Sequence, residues 1–271
     1  VGRIIALSSF VASGTVGLRV IIPALEALGH RVVAIPSVVL SSHAGYTRRW
    51  GLDVPASDLD GIVAALTDNG WLGEVDAVLT GYLPSAAHVH AAGRLVDLVR
   101  RRSADVCVVC DPVLGDWPKG LYIATDAARA MRDELLPRAD VATPNVFELS
   151  WLTGLPTADI EEAAAAAQRL KPGTVYISSV PARDPNEIAT VLATQDRIES
   201  SAWEKFNSVP HGAGDLLAGL LTGYLAAGIN PARALEQAGR QVYEVVAASR
   251  GHSELARVGP LQASHPVARS A

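Results

Sequence analysis

Cysteine is nearly absent: two residues in 271 cannot build a disulfide scaffold. Both lie in Cys107-Val108-Val109-Cys110, whose CxxC spelling invites a redox or metal reading. Residues 106–110 read as a buried strand, however, and positions i and i+3 of a strand point to opposite faces. The spacing therefore predicts two structural cysteines rather than a shared metal or bond. A basic excess is also lacking. With 23 Lys and Arg against 28 Asp and Glu the net charge is −5, which excludes a broad nucleic-acid footprint. No run is long enough to cross a bilayer, since the longest uncharged stretch, residues 216–232, is broken by Gly219, Gly223, Gly228, Asn230 and Pro231. The apolar residues 4–7 are too few for a signal-peptide core, so the expectation is a cytoplasmic protein. GxxxxGK[ST] does not occur, which excludes a P-loop. The Gly14-Thr15-Val16-Gly17 turn lacks both the full GxGxxG pattern and the later acidic residue of a dinucleotide site.

Apolar material is plentiful. Hydrophobic residues make up 49% and charged ones 19%, enough for a sizeable core, and the expectation is one domain over residues 1–271 with a peripheral tail from about residue 252. Short apolar runs predict strands at residues 4–7, 32–40, 77–79, 106–110, 141–142 and 175–177. Helical spacing fills the intervals at 17–28, 57–66 with Ser57 as cap, 86–102, 124–136 and 159–170, where Asp159 and Glu162 form a cap-like pair. Residues 188–193 and 198–203 predict an antiparallel pair, followed by helices over 213–226 and 231–248. This alternation predicts an α/β fold in three α/β/α layers, with a mostly parallel central sheet and sites beyond the strand C-termini.

Two apparent clusters have plain explanations. Arg100-Arg101-Arg102 ends a helix, where cations are favoured, and its members point in different directions. His88 and His90, two apart on a helix, are separated by about 200° and cannot share a metal.

The chemistry gathers in other loops. His211-Gly212-Ala213-Gly214-Asp215 precedes an apolar helix, so small residues leave the first amides free to approach an anion, and Asp215 is placed to take a proton from an attacking hydroxyl. Residues 110–116 end a strand in Asp111, with Asp116 beyond a proline-fixed turn. Thr143-Pro144-Asn145-Val146-Phe147-Glu148 puts Asn145 and Glu148 on one face of a helix start. Oxygen ligands at such loops suit Mg²⁺ held through water and phosphates.

In order along the chain, Ser8 to Gly17, Leu40 to Tyr46, Thr80-Gly81-Tyr82-Leu83, Asp111 to Asp116, Thr143 to Glu148 and Gly212 to Asp215 resemble the motifs of the pyridoxal kinases of the ribokinase-like superfamily. The resemblance covers residues 3 to about 250 and implies ATP-dependent phosphorylation of the 5′-hydroxymethyl group of pyridoxal, pyridoxine or pyridoxamine. Asp215 would be the base and Gly212, Ala213 and Gly214 the anion hole. Ser9, His43 and Tyr82 would contact the pyridine ring, walled by Val16, Val38 and Leu40. Asp111, Tyr122, Asn145, Glu148 and Ser178 would face the nucleotide, and Asp111, Asp116 and Glu148 the Mg²⁺. The resemblance also implies a homodimer and leaves open a monovalent cation such as K⁺.

The chain departs from the family pattern at Leu18, Ser42, Ala44, Ile177 and Ala213, the last replacing a threonine of the anion hole. Residues 181–207 resemble the family least and are expected to cover the nucleotide. Hydroxymethylpyrimidine kinase, of the same superfamily, and a non-catalytic vitamin B6 binder are the alternatives.

Overall fold

The computed structural model describes residues 1–43 and 45–256. Its spine is β1 (Arg3–Val11), an apolar run buried along almost its whole length, as a central parallel strand must be. Alternate side chains serve two cores, with Ile5 and Leu7 facing one and Ile4 and Ala6 the other. After α1 (Leu18–Ala27) come β2 (Arg31–Leu40), the short antiparallel β3 (Gly51–Asp53), α2 (Ala56–Asp68), β4 (Ala77–Thr80), α3 (Ala86–Arg100) and β5 (Cys107–Cys110). A small hairpin, β6 (Gly115–Asp116) and β7 (Gly120–Leu121), leads to α4 (Thr125–Ala130), β8 (Val141–Ala142), α5 (Val146–Thr153) and α6 (Ile160–Ala167). Strands β9 (Thr174–Pro181), β10 (Glu187–Ala193) and β11 (Ile198–Glu204) precede α7 (Ala213–Ala226) and α8 (Pro231–Ala248).

The nine-stranded sheet runs β11-β10-β9-β8-β5-β4-β1-β2-β3, parallel from β9 to β2 and antiparallel at both edges. Helices α1, α7 and α8 cover one face, and α2 to α6 the other. Helix α7 lies close against α1, and a Cβ at Gly223 would strike Leu28. The three layers and parallel sheet match the sequence expectation. No helix of the described residues is long and apolar enough to cross a membrane.

Several local expectations need correction. Ser57 does not cap α2, which starts one residue earlier behind Pro55; the Ser57 hydroxyl donates to Asp58 instead. The helix expected over 124–136 changes geometry after Ala130, passing through a π turn at Met131–Leu135 and a 3-10 turn at Leu136–Arg138. Pro137 is the cause, because it has no N–H to donate and its ring crowds the carbonyl one turn back. The cysteines behave as expected: Cys110 packs in one core and Cys107 against the other, and burial pushes their thiols up to about 12 and about 11. His88 and His90 diverge, His88 facing Ser85 and the Val54 carbonyl while His90 reaches Glu134.

Candidate active site

The parallel strands end on one side of the sheet, and α7 begins there. Gly212 opens α7 at φ 100°, and a Cβ on it would collide with the Thr15 carbonyl oxygen, so glycine alone lets the helix start this close to the loop after β1. Among the described residues nothing lies within 4 Å of a Cβ position at Gly214, at the positive end of the helix. Asp215 stands in this first turn, partly buried. Desolvation pushes its carboxyl up to about 6, and the Gly17 amide facing it favours the charged form. Gly17 in turn sits at φ 54° against Ser9, with no room for a Cβ.

The residues expected to form an apolar slot lie at or just past the C-terminal ends of β1, β2 and β4. Ser9 and Val38 are buried and Val16 and Leu40 partly so; Val38 belongs to neither of the two cores. The turn carrying Tyr82 is fixed by two serines, since its amide donates to Ser8 Oγ at 3.2 Å and its carbonyl accepts from Ser37 Oγ at 2.6 Å. Burial, then the Asp53 charge, pushes the Tyr82 phenol upward. His43 Nδ1 accepts the Gly45 N–H at 3.1 Å, which places the proton of the neutral ring on Nε2. That Nε2 is buried without a hydrogen-bond partner among the described residues. Burial and the neighbouring His211 hold the His43 pKa below its ordinary range.

The carboxylates collect beyond the ends of β5 and β8. Asp111 is buried, accepts from Thr143 Oγ1 at 2.9 Å, and is driven well upward by desolvation and by the charges of Glu148 and Asp215. Glu148 rises to about 7 by burial, although the amides of Asn145, Leu114 and Gly115 all donate to it. Asn145 and Glu148 form a capping box at the start of α5, and Asn145 Nδ2 also donates to Gly115 O at 2.9 Å. Asp116 Oδ1 is buried and, among the described residues, unpaired, and burial followed by the facing Asp116 raises the Tyr122 phenol. Val113, between these carboxylates, holds φ 43°, a strained value for a β-branched residue.

The structure therefore brings the proposed base, glycine cradle, ring contacts and carboxylates to one end of the sheet. It does not gather Asp111, Asp116 and Glu148 into a direct metal cage: among the described residues no three such side chains converge to hold an ion. Both Glu148 oxygens are committed to backbone donors. The set fits a water- and phosphate-mediated Mg²⁺ all the same, because the unpaired Asp116 oxygen and the mutually repelling Asp111 and Glu148 leave negative charge for a cation to relieve.

A cavity of about 190 Å³ adjoins Ala213 and Gly214 and is lined by Ser178, Trp203, Phe206 and Tyr243. Trp203 and Tyr243 stack with centroids 5.3 Å apart. Of these, Ser178 was expected to face the nucleotide and residues 181–207, which include Trp203 and Phe206, to cover it; Tyr243 was given no role.

Glu254, Thr15, Tyr46 and His211 were missed. The tail expected to be peripheral from about residue 252 is packed at its start: Leu255 is buried and Glu254 accepts from Thr15 and Tyr46. Glu254 stands outside any motif, and Thr15, Tyr46 and His211 stand inside motif stretches that gave them no role of their own. The remainder of that tail and the Ala44 departure lie outside the described residues.

Fold and site together define an α/β/α small-molecule kinase, with an acidic residue in a glycine-led helix start beside an apolar slot. The chain belongs to the phosphomethylpyrimidine kinase family, whose model matches residues 32–261. It is 37% identical over 266 residues to the pyridoxine/pyridoxal/pyridoxamine kinase of Bordetella bronchiseptica, covering 96% of this chain and 94% of that one. The pyridoxal kinase of Leishmania donovani in complex with ADP and pyridoxine superposes with a TM-score of 0.87 at 29% identity, covering 94% of this chain and 92% of the other. A Bacteroides thetaiotaomicron protein described as a putative phosphomethylpyrimidine kinase, in a crystal form with pyridoxal, gives 0.84 at 29% identity over 93% and 90% of the two chains.

Proposed function

We propose that the chain is a pyridoxal kinase, transferring the γ-phosphoryl group of ATP to the 5′-hydroxymethyl group of pyridoxal, pyridoxine or pyridoxamine. The observation that carries this reading is the first turn of α7. Its Ala213 and Gly214 line the aromatic cavity, while Gly212 and Asp215 meet the loop bordering the slot of Ser9, His43 and Tyr82. The substrate oxygen forms the new bond to the γ-phosphorus, its proton passes to Asp215, and ADP leaves with the electrons of the broken P–O bond. The amides of the 212–214 turn would face the charge developing on the phosphoryl oxygens. Trp203 and Tyr243 suit a flat purine, with Ser178 at the cavity edge. Asp111 and Asp116, with Glu148 through water, would hold Mg²⁺, which supplies charge neutralisation of the phosphates when bound. A carboxyl brought to about 6 is matched to proton acceptance near neutral pH. The proposal extends to a homodimer acting in the cytoplasm.

A second reading is hydroxymethylpyrimidine phosphorylation, favoured by the description of the matching family and by the common hydroxymethyl heteroaromatic chemistry. An ADP-release assay on the three vitamers and hydroxymethylpyrimidine separates the two, and turnover of none, with binding retained, would sustain the carrier alternative. Asp215→Asn should keep vitamer binding by calorimetry while kcat falls by about 10² to 10⁴. A kcat within a few fold of the parent would reduce Asp215 to a helix-end charge.

A further inference from the structure

Glu254 takes no part in the transfer chemistry, yet three separated segments converge on it. Its Oε2 accepts the Thr15 amide at 2.8 Å and the Thr15 hydroxyl at 3.0 Å. Its Oε1 accepts the Tyr46 hydroxyl at 2.7 Å and stands 3.7 Å from His43 Nε2. The following residue returns the contact, Leu255 N donating to Thr15 Oγ1 at 3.0 Å. His211, immediately before Gly212, pairs with Glu254 in an isolated parallel bridge. The His43 ring is flanked by His211 at 4.5 Å and Tyr46 at 4.8 Å between centroids. A Cβ at Gly45 would run into that ring, so the loop after β2 is wrapped tightly around it. Thr15 is held from both sides, its amide by Glu254 and its carbonyl against Gly212.

We propose that Glu254 is a positioning residue for the vitamer, tying Tyr46 and His43 at the slot to Thr15 and, through Thr15, to the anion-hole glycine. The spacing between the ring contacts and the phosphoryl cradle is then set by one carboxylate from the chain's C-terminal part. The inference rests on the pyridoxal kinase reading of the slot. A carboxylate presents acceptors on both sides, whereas a glutamine would turn its NH₂ either toward the Thr15 donors or toward His43 Nε2–H and Tyr46, reversing the Tyr46 bond. Burial works to raise the Glu254 pKa, but the bonds from Tyr46 and Thr15 and the nearby His43 hold it below its ordinary range, so the group stays charged at neutral pH. The groups facing His43 are His211, Tyr46, Lys119 and Glu254, of which Glu254 alone is an acid.

The test is Glu254→Gln in the full chain, with Tyr46→Phe as a milder variant that removes a single donor from a partly exposed side chain. KM for pyridoxal should rise by about 10- to 100-fold while KM for ATP stays within a few fold, as expected when distant support lets a reacting group drift. Tyr46→Phe should show the same selective pattern more weakly, which keeps the test open if Glu254→Gln does not fold. The His43 imidazole, followed by NMR, should titrate at lower pH in Glu254→Gln, since the charge favouring its protonated form is gone. Equal changes in both KM values, or an unchanged vitamer KM with an unmoved His43 titration, would overturn the proposal. A parent enzyme inactive on every vitamer overturns the functional reading instead, and the His43 titration then decides whether Glu254 governs that ring.

Discussion

Asp215 is held where its charge is disfavoured, and this has a measurable cost. Its carboxyl is raised to about 6, so the folded chain binds the proton more tightly than the unfolded chain does. The stabilisation from the protonated form is fully present below the unfolded value near 4 and is lost as pH rises through about 6. Asp215→Asn carries no such charge. It should therefore be more stable than the parent at pH 8, by up to about 3 kcal/mol, and equal to it near pH 4. Denaturant midpoints at the two pH values check this, and a gap that does not change with pH would refute it. The variant expected to lose turnover is thus also expected to gain stability.

At the scale of elements, the capping box of α5 joins local structure to the site. Asn145 accepts the Glu148 amide at 3.0 Å, and its side chain also ties down the hairpin that carries Asp116. Asn145→Ala should lower stability by about 1 to 2 kcal/mol, read from the urea midpoint. In the sequence the pair reads as oxygen ligands and not as a cap, but the helix start was legible, because Asn145 and Glu148 stand three apart beside a proline. So were α7 and α8, through an apolar run after small residues and through Asn230-Pro231, where Asn230 caps and Pro231 occupies the first turn. β3 and the 115–121 hairpin were not. Pairings of two or three residues carry no periodicity, and their register comes from neighbours distant in sequence. Glu254 escaped for a related reason, its importance being a set of contacts to Thr15, 239 positions earlier, and to Tyr46, 208 positions earlier. Ser57 misled because serine is a good cap in isolation, whereas the chain entered α2 through Pro55.

At the scale of the whole molecule, the proposed nucleotide cavity is roofed by the antiparallel end of the sheet and floored by α7 and α8. A ligand spanning these elements should stabilise all of them together. Saturating ADP should raise the melting temperature, with about 2.7 kcal/mol of linkage expected at a hundredfold excess over Kd. Trp203→Ala should weaken ADP binding by about tenfold or more, the usual scale for losing an aromatic stacked on a base. Isothermal titration gives the comparison, and an unchanged Kd would place the base elsewhere.

The tight seating of α7 on α1 has a consequence for redesign. The proposed proton acceptor and phosphoryl cradle ride on a helix packed against α1, where a Cβ at Gly219 would lie 3.4 Å from Ile21 Cα, whereas Val38 and Leu40 belong to β2, paired with β1 on one side and with only the three-residue β3 on the other. Reactivity and ring choice thus ride on separate elements of one scaffold, joined at the Thr15 loop. An engineer seeking a kinase for another hydroxymethyl heterocycle can recut the β2–β3 margin and leave the proton-transfer geometry where it is.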